Sequence, residues 1–434
     1  MDIKNLKERV CKAIDEHRDE IMALGDSIFQ EPELGYKEYK TAAKVKAFID
    51  KKIGIPYESE IARTGIIAKM PGRGHKVNLA LMGELDAVVC PDHPHADPET
   101  GAAHSCGHFA QVAATFGAAL GLKASGVIDE LDGDIEFWGV PAEECVEIEW
   151  RNELRAKGEI TFLGGKPEMI KLGCLDNVDL SLMIHSQTGN TCKTAGTSVG
   201  FVSKFVKYTG KEAHAGGAPH KGVNALNAAQ IGLMAIHANR ETFRDEDTIR
   251  VHPIITKGGD LVNIVPADVR IEAYVRGKTM ASVLDASKKV NRSFEAGAMA
   301  VGAEVEIIDI PGYMPRINNE QMNELFAANC AELIGAENIG YSAHGTGSSD
   351  YGDIQHLVPG IHPYVGGAVG VEHGSSYAIA DPELLYIVAA KAMAMTTTAL
   401  LANGAEKALE IKKNYKPVYA NKEEYLAAWE ELMK

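Results

Sequence analysis

His104-Ser105-Cys106-Gly107-His108 is the strongest local signal for chemistry in the chain. A thiolate and an imidazole two residues apart, with glycine between them, can face one ion from a tight loop. That donor pair suits zinc and related borderline metals. A buried cysteine beside a satisfied histidine fits the same five residues. Glu143 and Glu144 follow the apolar run 134–140 through Pro141 and Ala142. Adjacent carboxylates are usually a solvated turn, but at a strand's carboxyl end they can divide labour. One can ligate metal while the other moves a proton as general base. His185 closes the apolar run 178–184, and His373 follows a Gly-rich turn at 366–370. Each of these histidines alone reads more readily as a core residue than as a ligand. His214 stands in the segment 211–219, just past a strand candidate, where Gly216, Gly217 and Pro219 also fit a plain surface turn.

The elements around these residues give them a common frame. Residues 4–24 and 39–52 carry apolar positions at helical spacing, and the alanine-rich segment 109–125 reads as a helix. Strand-like runs at 65–70, 77–82, 134–140 and 178–183 alternate with helices, the pattern of an α/β sheet whose strand ends and loops collect functional groups. The middle of the chain changes order. A strand at 201–211, a helix at 224–241, strands at 250–257 and 269–276, a helix at 280–302 and a strand at 304–310 form a split βαβ pattern, with Gly196 and Pro311-Gly312 as punctuation. The expected architecture is therefore an α/β catalytic domain, a mixed sheet flanked by helices, over residues 1–194 and 313–434. It is interrupted by an α+β, ferredoxin-like satellite domain at 195–312.

Composition narrows the partners. The 434 residues carry 60 acidic and 44 basic side chains, a net charge of -16, which repels nucleic acid and anionic membranes. Seven cysteines without a CxxC pair point to a reducing compartment, and residues 1–24 lack the apolar core of a signal peptide. The stretch 384–402 is interrupted by Lys391 and three threonines and reads as a buried helix, not a membrane span. A cytoplasmic protein is expected.

The ordered set of motifs resembles the M20 metallopeptidases, within them the amidohydrolase subgroup. It comprises Pro32-Glu33-Leu34-Gly35-Tyr36, Glu84-Leu85-Asp86-Ala87, the Cys106 segment, Pro141–Glu144, His185, Ala213-His214-Ala215, Asn263–Pro266, Ser349–Asp353, His373 and the helix 389–394. The stretch at 349–353 and the late helix are most similar to aminobenzoyl-glutamate hydrolases. The resemblance implies two divalent ions, zinc or manganese foremost and cobalt or nickel also accommodated, held by Cys106, His108, Glu144, His185 and His373, with Cys106 a candidate bridge. It implies Glu143 as general base and Asp86 orienting a ligand. It also implies that His214 helps hold the oxyanion, in many family dimers from the partner subunit, and that Asn263 and Arg276 contact substrate from the satellite domain. The implied reaction is hydrolysis of a small N-acyl amino acid, an aminobenzoyl-glutamate-like conjugate or a dipeptide, by a homodimer formed through the satellite domain.

Three departures stand out. Phe109 replaces the usual polar residue after Cys-Gly-His, Ser349 replaces an acid, and 147–166 is longer than the family's segment and is expected to shape the pocket. They keep open a catalytically silent metabolite-binding protein as the alternative, and a redox sensor built on Cys106 as a more distant one.

Overall fold

The amino-terminal helical pattern is two helices, Ile3–Glu16 and Arg18–Phe29, broken at His17. A computed structural model describes residues 2–433. Both helices lay their apolar stripes (Leu6, Val10 and Ile14; Ile21, Leu24 and Ile28) on the helix His108–Ala124, which is buried along almost its whole length. Its alanines and glycines allow that close approach on several sides, since a small side chain keeps neighbouring helices near. The apolar helix Ala389–Leu401 packs against it too, and against Ile3–Glu16. Together with the wider turns Glu383–Val388 it forms the one helix, among the described residues, long and apolar enough to cross a membrane. Since 94% of its apolar window is buried inside the protein, it is the expected core helix.

These helices cover one face of a six-stranded mixed sheet, ordered Tyr57–Ile61, Gly65–Met70, Asp134–Val140, Asn78–Glu84, Leu180–Met183, Gly360–Ile361. Asn78–Glu84 pairs in parallel with Asp134–Val140 and with Leu180–Met183, so the three central strands end together. Glu84, the turn after Val140 and His185 all leave the sheet at that edge, where an open α/β sheet binds its ligands. The other face packs on a second apolar cluster that includes Trp138, Met169, Tyr351, Tyr425 and Trp429.

Between Gly200 and Tyr313 lies a four-stranded antiparallel sheet in the order Arg250–Lys257, Asp268–Gly277, Gly200–Thr209, Glu304–Tyr313. The helices Ala225–Asn239 and Met280–Val301 lie together against it. That order and connectivity are ferredoxin-like. Pro311-Gly312 lies inside the last strand instead of ending it. The strand is at the sheet's edge, where a missing N–H is tolerated, and the register shifts beside Pro311.

A third, small sheet was not legible as such. Tyr364–Val369 pairs with His185–Thr188, Cys192–Lys193 and Ala378–Ile379. Residues 366–369 are therefore largely strand, not a turn. Gly366 fits because a Cβ there would come within 2.5 Å of the Gly189 carbonyl oxygen.

Candidate metal centre

Local backbone geometry aims the Cys106 segment. Gly107 has φ +91°, and a Cβ at that position would meet Ser186 Oγ at 1.8 Å, so the turn requires glycine. The turn ends at the start of the helix His108–Ala124 and presents Cys106 Sγ beside His108. Ala142, at φ +52°, makes the matching sharp turn before Glu143. Its N–H donates to the buried Glu38 carboxylate at 2.7 Å, and the Tyr313 hydroxyl donates to the Glu143 carbonyl.

Ligand atoms of Cys106, His108 and His185 lie within 4.8 Å of one another, as do those of Cys106, Glu144 and His373. The two sets share the Cys106 sulfur. His185 Nε2 is 3.4 Å from Sγ, while its Nδ1–H donates to the Ser186 carbonyl at 2.6 Å and fixes the ring. His373 Nε2 is 3.2 Å from Glu144 Oε1, and the His373 N–H donates to the Ser105 carbonyl at 2.8 Å. Asp86 orients two partners at once. Its Oδ1 is 3.1 Å from His108 Nδ1, and its Oδ2 accepts the Glu144 N–H at 2.8 Å. This is the arrangement by which a carboxylate fixes a ligating imidazole.

A divalent cation fits these donors. His108 Nε2 is buried and makes no hydrogen bond, although Glu84 Oε2 is 3.1 Å away. No lysine or arginine forms an ion pair with Glu143 or Glu144 among the described residues. Burial pushes the Cys106 thiol up, but the charges of His108 and His185 outweigh it and bring the thiol down to about 6. Burial likewise opposes ionisation of Glu144, yet the hydrogen bond and charge of His373 hold it at about 2. His373 is pushed up to about 11 by its hydrogen bonds to Cys106 and Glu144. Thiolate, carboxylate and imidazole are donors that give up their protons when a divalent cation binds. Glu143 differs. Burial, then the neighbouring charges of Glu84 and Glu144, raise it well above the usual carboxylate range.

Glu84, Lys166 and Asp350 were not anticipated as site residues. Glu84 forms a third close group with His108 and Glu143. The fully buried Lys166 ammonium donates to Glu84 Oε1 at 2.6 Å and to the Asp350 carboxylate. Glu84 was visible two residues before Asp86 at the same strand end, whereas nothing in the local sequence marks Lys166. The segment 147–166 therefore supports the centre from beneath, and only its neighbours Cys145 and Val146 reach the pocket wall. Phe109 points away into the core against Phe29 and Tyr386. Ser349 does line the pocket.

The pocket encloses about 370 Å³ beside Cys106, Glu143, Glu144, His185 and His373, and Arg276 is on its wall. His214 and Asn263 are not brought there. Both are exposed, and they lie together, with the Ala215 N–H donating to the Asn263 carbonyl at 2.9 Å.

A model of the peptidase family M20/M25/M40 matches residues 80–402. The chain belongs to this family. Mouse Xaa-Arg dipeptidase is 29% identical over 419 residues, covering 91% of this chain and 89% of the relative. An aminobenzoyl-glutamate utilization protein from Klebsiella pneumoniae has a similar fold, with a TM-score of 0.67, 18% identity and coverage of 89% of this chain and 97% of that one. So does a dinuclear metal binding M20 peptidase from Bacillus subtilis, with a TM-score of 0.64, 20% identity and coverage of 89% and 99%. As an M20 member the protein is a metal-dependent hydrolase of amide or peptide bonds.

Proposed function

We propose that the protein hydrolyses the amide bond of a small N-acyl amino acid, an aminobenzoyl-glutamate-like conjugate or a dipeptide. The observation that carries this reading is the pair of donor sets sharing Cys106, with the Glu143 carboxylate grouped with His108 beside them. Cys106, His108 and His185 would hold one divalent ion, and Cys106, Glu144 and His373 the other, with zinc or manganese best suited to the mixed donors. When bound, such ions supply Lewis acidity toward the amide carbonyl and the attacking water. Glu143 takes the proton of that water and returns it to the leaving amine. Asp86 keeps His108 in one orientation. Arg276, whose guanidinium lies 5.6 Å from the Phe201 ring and 5.4 Å from the Tyr274 ring, is placed to hold a substrate carboxylate.

His214 and Asn263 take part through a second copy of the chain. The apolar tip beside them supports a dimer contact there, with Leu261 57% and Val262 98% exposed. The seven cysteines are all free thiols, which supports a cytoplasmic setting. A screen of N-acyl amino acids and dipeptides against protein loaded separately with Mn2+, Zn2+ and Co2+ tests the reading. Turnover of at least one amide is expected with at least one metal. Inert protein that nevertheless binds these compounds would favour the catalytically silent alternative.

A further inference from the structure

Arg316 lies on the wall of the same pocket and is 7% exposed. Its Nε donates to Ser198 Oγ at 2.8 Å, one terminal nitrogen donates to His362 Nδ1 at 2.9 Å, and the other to the Tyr364 hydroxyl at 2.8 Å. All three partners are neutral acceptors. No carboxylate pairs with Arg316 among the described residues, although buried arginines are ordinarily paired with acids. Those three bonds leave two of the five guanidinium N–H groups free.

The partners add further donors. Tyr364 accepts from Arg316, so its own O–H remains to be given. His362 accepts at Nδ1, so its proton is on Nε2, and that nitrogen is buried without a partner. Both rings stand next to the candidate ligand His185, at 5.5 Å for His362 and 5.8 Å for Tyr364 between ring centroids. Arg276, which lines the same pocket, also lacks an acid partner, and its Nε is buried without a hydrogen bond. The acids on the wall are Glu143, Glu144 and Glu372. The first two belong to the metal centre, and Glu372 is exposed beside His373. Outside the metal centre the pocket thus presents two unpaired guanidinium groups.

We infer that Arg316, with Tyr364 and His362, is a specificity-determining anion subsite, so that the preferred substrate carries a second carboxylate besides the one held by Arg276. The substrate class is an amide of an acidic amino acid, with a basic side chain excluded. This rests on the amide-hydrolase reading above. It also separates the chain from the relative named for Xaa-Arg dipeptides, because a substrate guanidinium here would meet like charge.

The test is titration calorimetry with metal-loaded Glu143→Gln protein, using N-acetylglutamate, N-acetylglutamine, which is its isostere with an uncharged side chain, and N-acetylarginine. N-acetylglutamate should bind about tenfold or more tighter than N-acetylglutamine, as a charged hydrogen bond in a desolvated pocket demands, and N-acetylarginine weakest. Adding Arg316→Met should bring the glutamate-to-glutamine ratio to about one, chiefly by weakening glutamate, while Arg316→Lys keeps part of the preference. Equal binding of the two isosteres by the Arg316-containing protein overturns the subsite, and so does tighter binding of N-acetylarginine. Should Arg316→Met fail to fold, the isostere ratio with Arg316 and with Arg316→Lys decides alone. Glutamate-selective binding with no turnover by the Glu143 protein would sink the hydrolase reading and leave the subsite standing. Turnover without glutamate selectivity would do the reverse.

Discussion

Two charged clusters, one buried and one lining the pocket, meet at Glu84 and are built in opposite ways. Around Lys166, the ammonium has carboxylate partners in Glu84 and Asp350, and Asp350 also accepts the Lys166 backbone N–H at 2.9 Å. Around Cys106, the thiol, two glutamates and three histidines crowd together without a lysine or arginine among them. Where the chain provides its own cation, buried acids are structural. Where it withholds one, the same kinds of acid are kept, under the proposed function, for cations from outside. The proximity of the first cluster also fixes Glu84, and through it the surroundings of His108 and Glu143.

The largest expected effect lies in the open cluster. Glu143→Gln should lower turnover by about 10²–10⁴-fold, the range for loss of a general base, while bound metal is retained. Activity assays paired with metal analysis check this, and turnover at the wild-type rate would remove Glu143 from the mechanism. Next, Lys166→Met should destabilise the fold by about 3–5 kcal/mol in denaturant unfolding, because it strands two buried acids. A loss under about 1 kcal/mol would show that the closed cluster is not held by its lysine. Third, divalent metal at a thousandfold excess over Kd should stabilise the wild-type chain by about 4 kcal/mol, and a Cys106→Ala/His185→Ala variant by much less. Equal stabilisation of both would move the ions elsewhere.

The smallest effect comes from His356, which lies outside both clusters. Burial lowers it to about 4, while its hydrogen bond to the Pro315 carbonyl, 3.0 Å from Nε2, works the other way. A histidine depressed from its ordinary 6.5 contributes stability that is present above 6.5 and lost as pH falls through 4. Metal-free protein should therefore lose up to about 3 kcal/mol over that window from this residue. His356→Gln should flatten that part of the stability profile, and an unchanged profile would contradict the assignment.

Much of this arrangement was legible in the sequence. The strand–helix alternation and the βαββαβ segment announce their layers, because period and order survive without coordinates. Cys106, His108 and Glu143-Glu144 were readable because glycine turns and strand ends are local signals. Lys166 and Arg316 were not, since their meaning lies in partners far along the chain: Lys166 reaches back to Glu84 and on to Asp350, and Arg316 to Ser198 and His362. The break at His17 and the strand Tyr364–Val369 were missed for a related reason. Helical periodicity continues across the first, and the glycines of the second are demanded by a neighbouring backbone, not by a turn.

Anomalous diffraction from crystals grown with Mn2+ or Zn2+, collected at the metal edge, examines the open cluster directly. Two peaks should flank the Cys106 sulfur, one within coordinating reach of His108 and His185 and the other of Glu144 and His373. A metal-soaked crystal with no peak at Cys106, or with its ions bound only at other residues, would contradict the account.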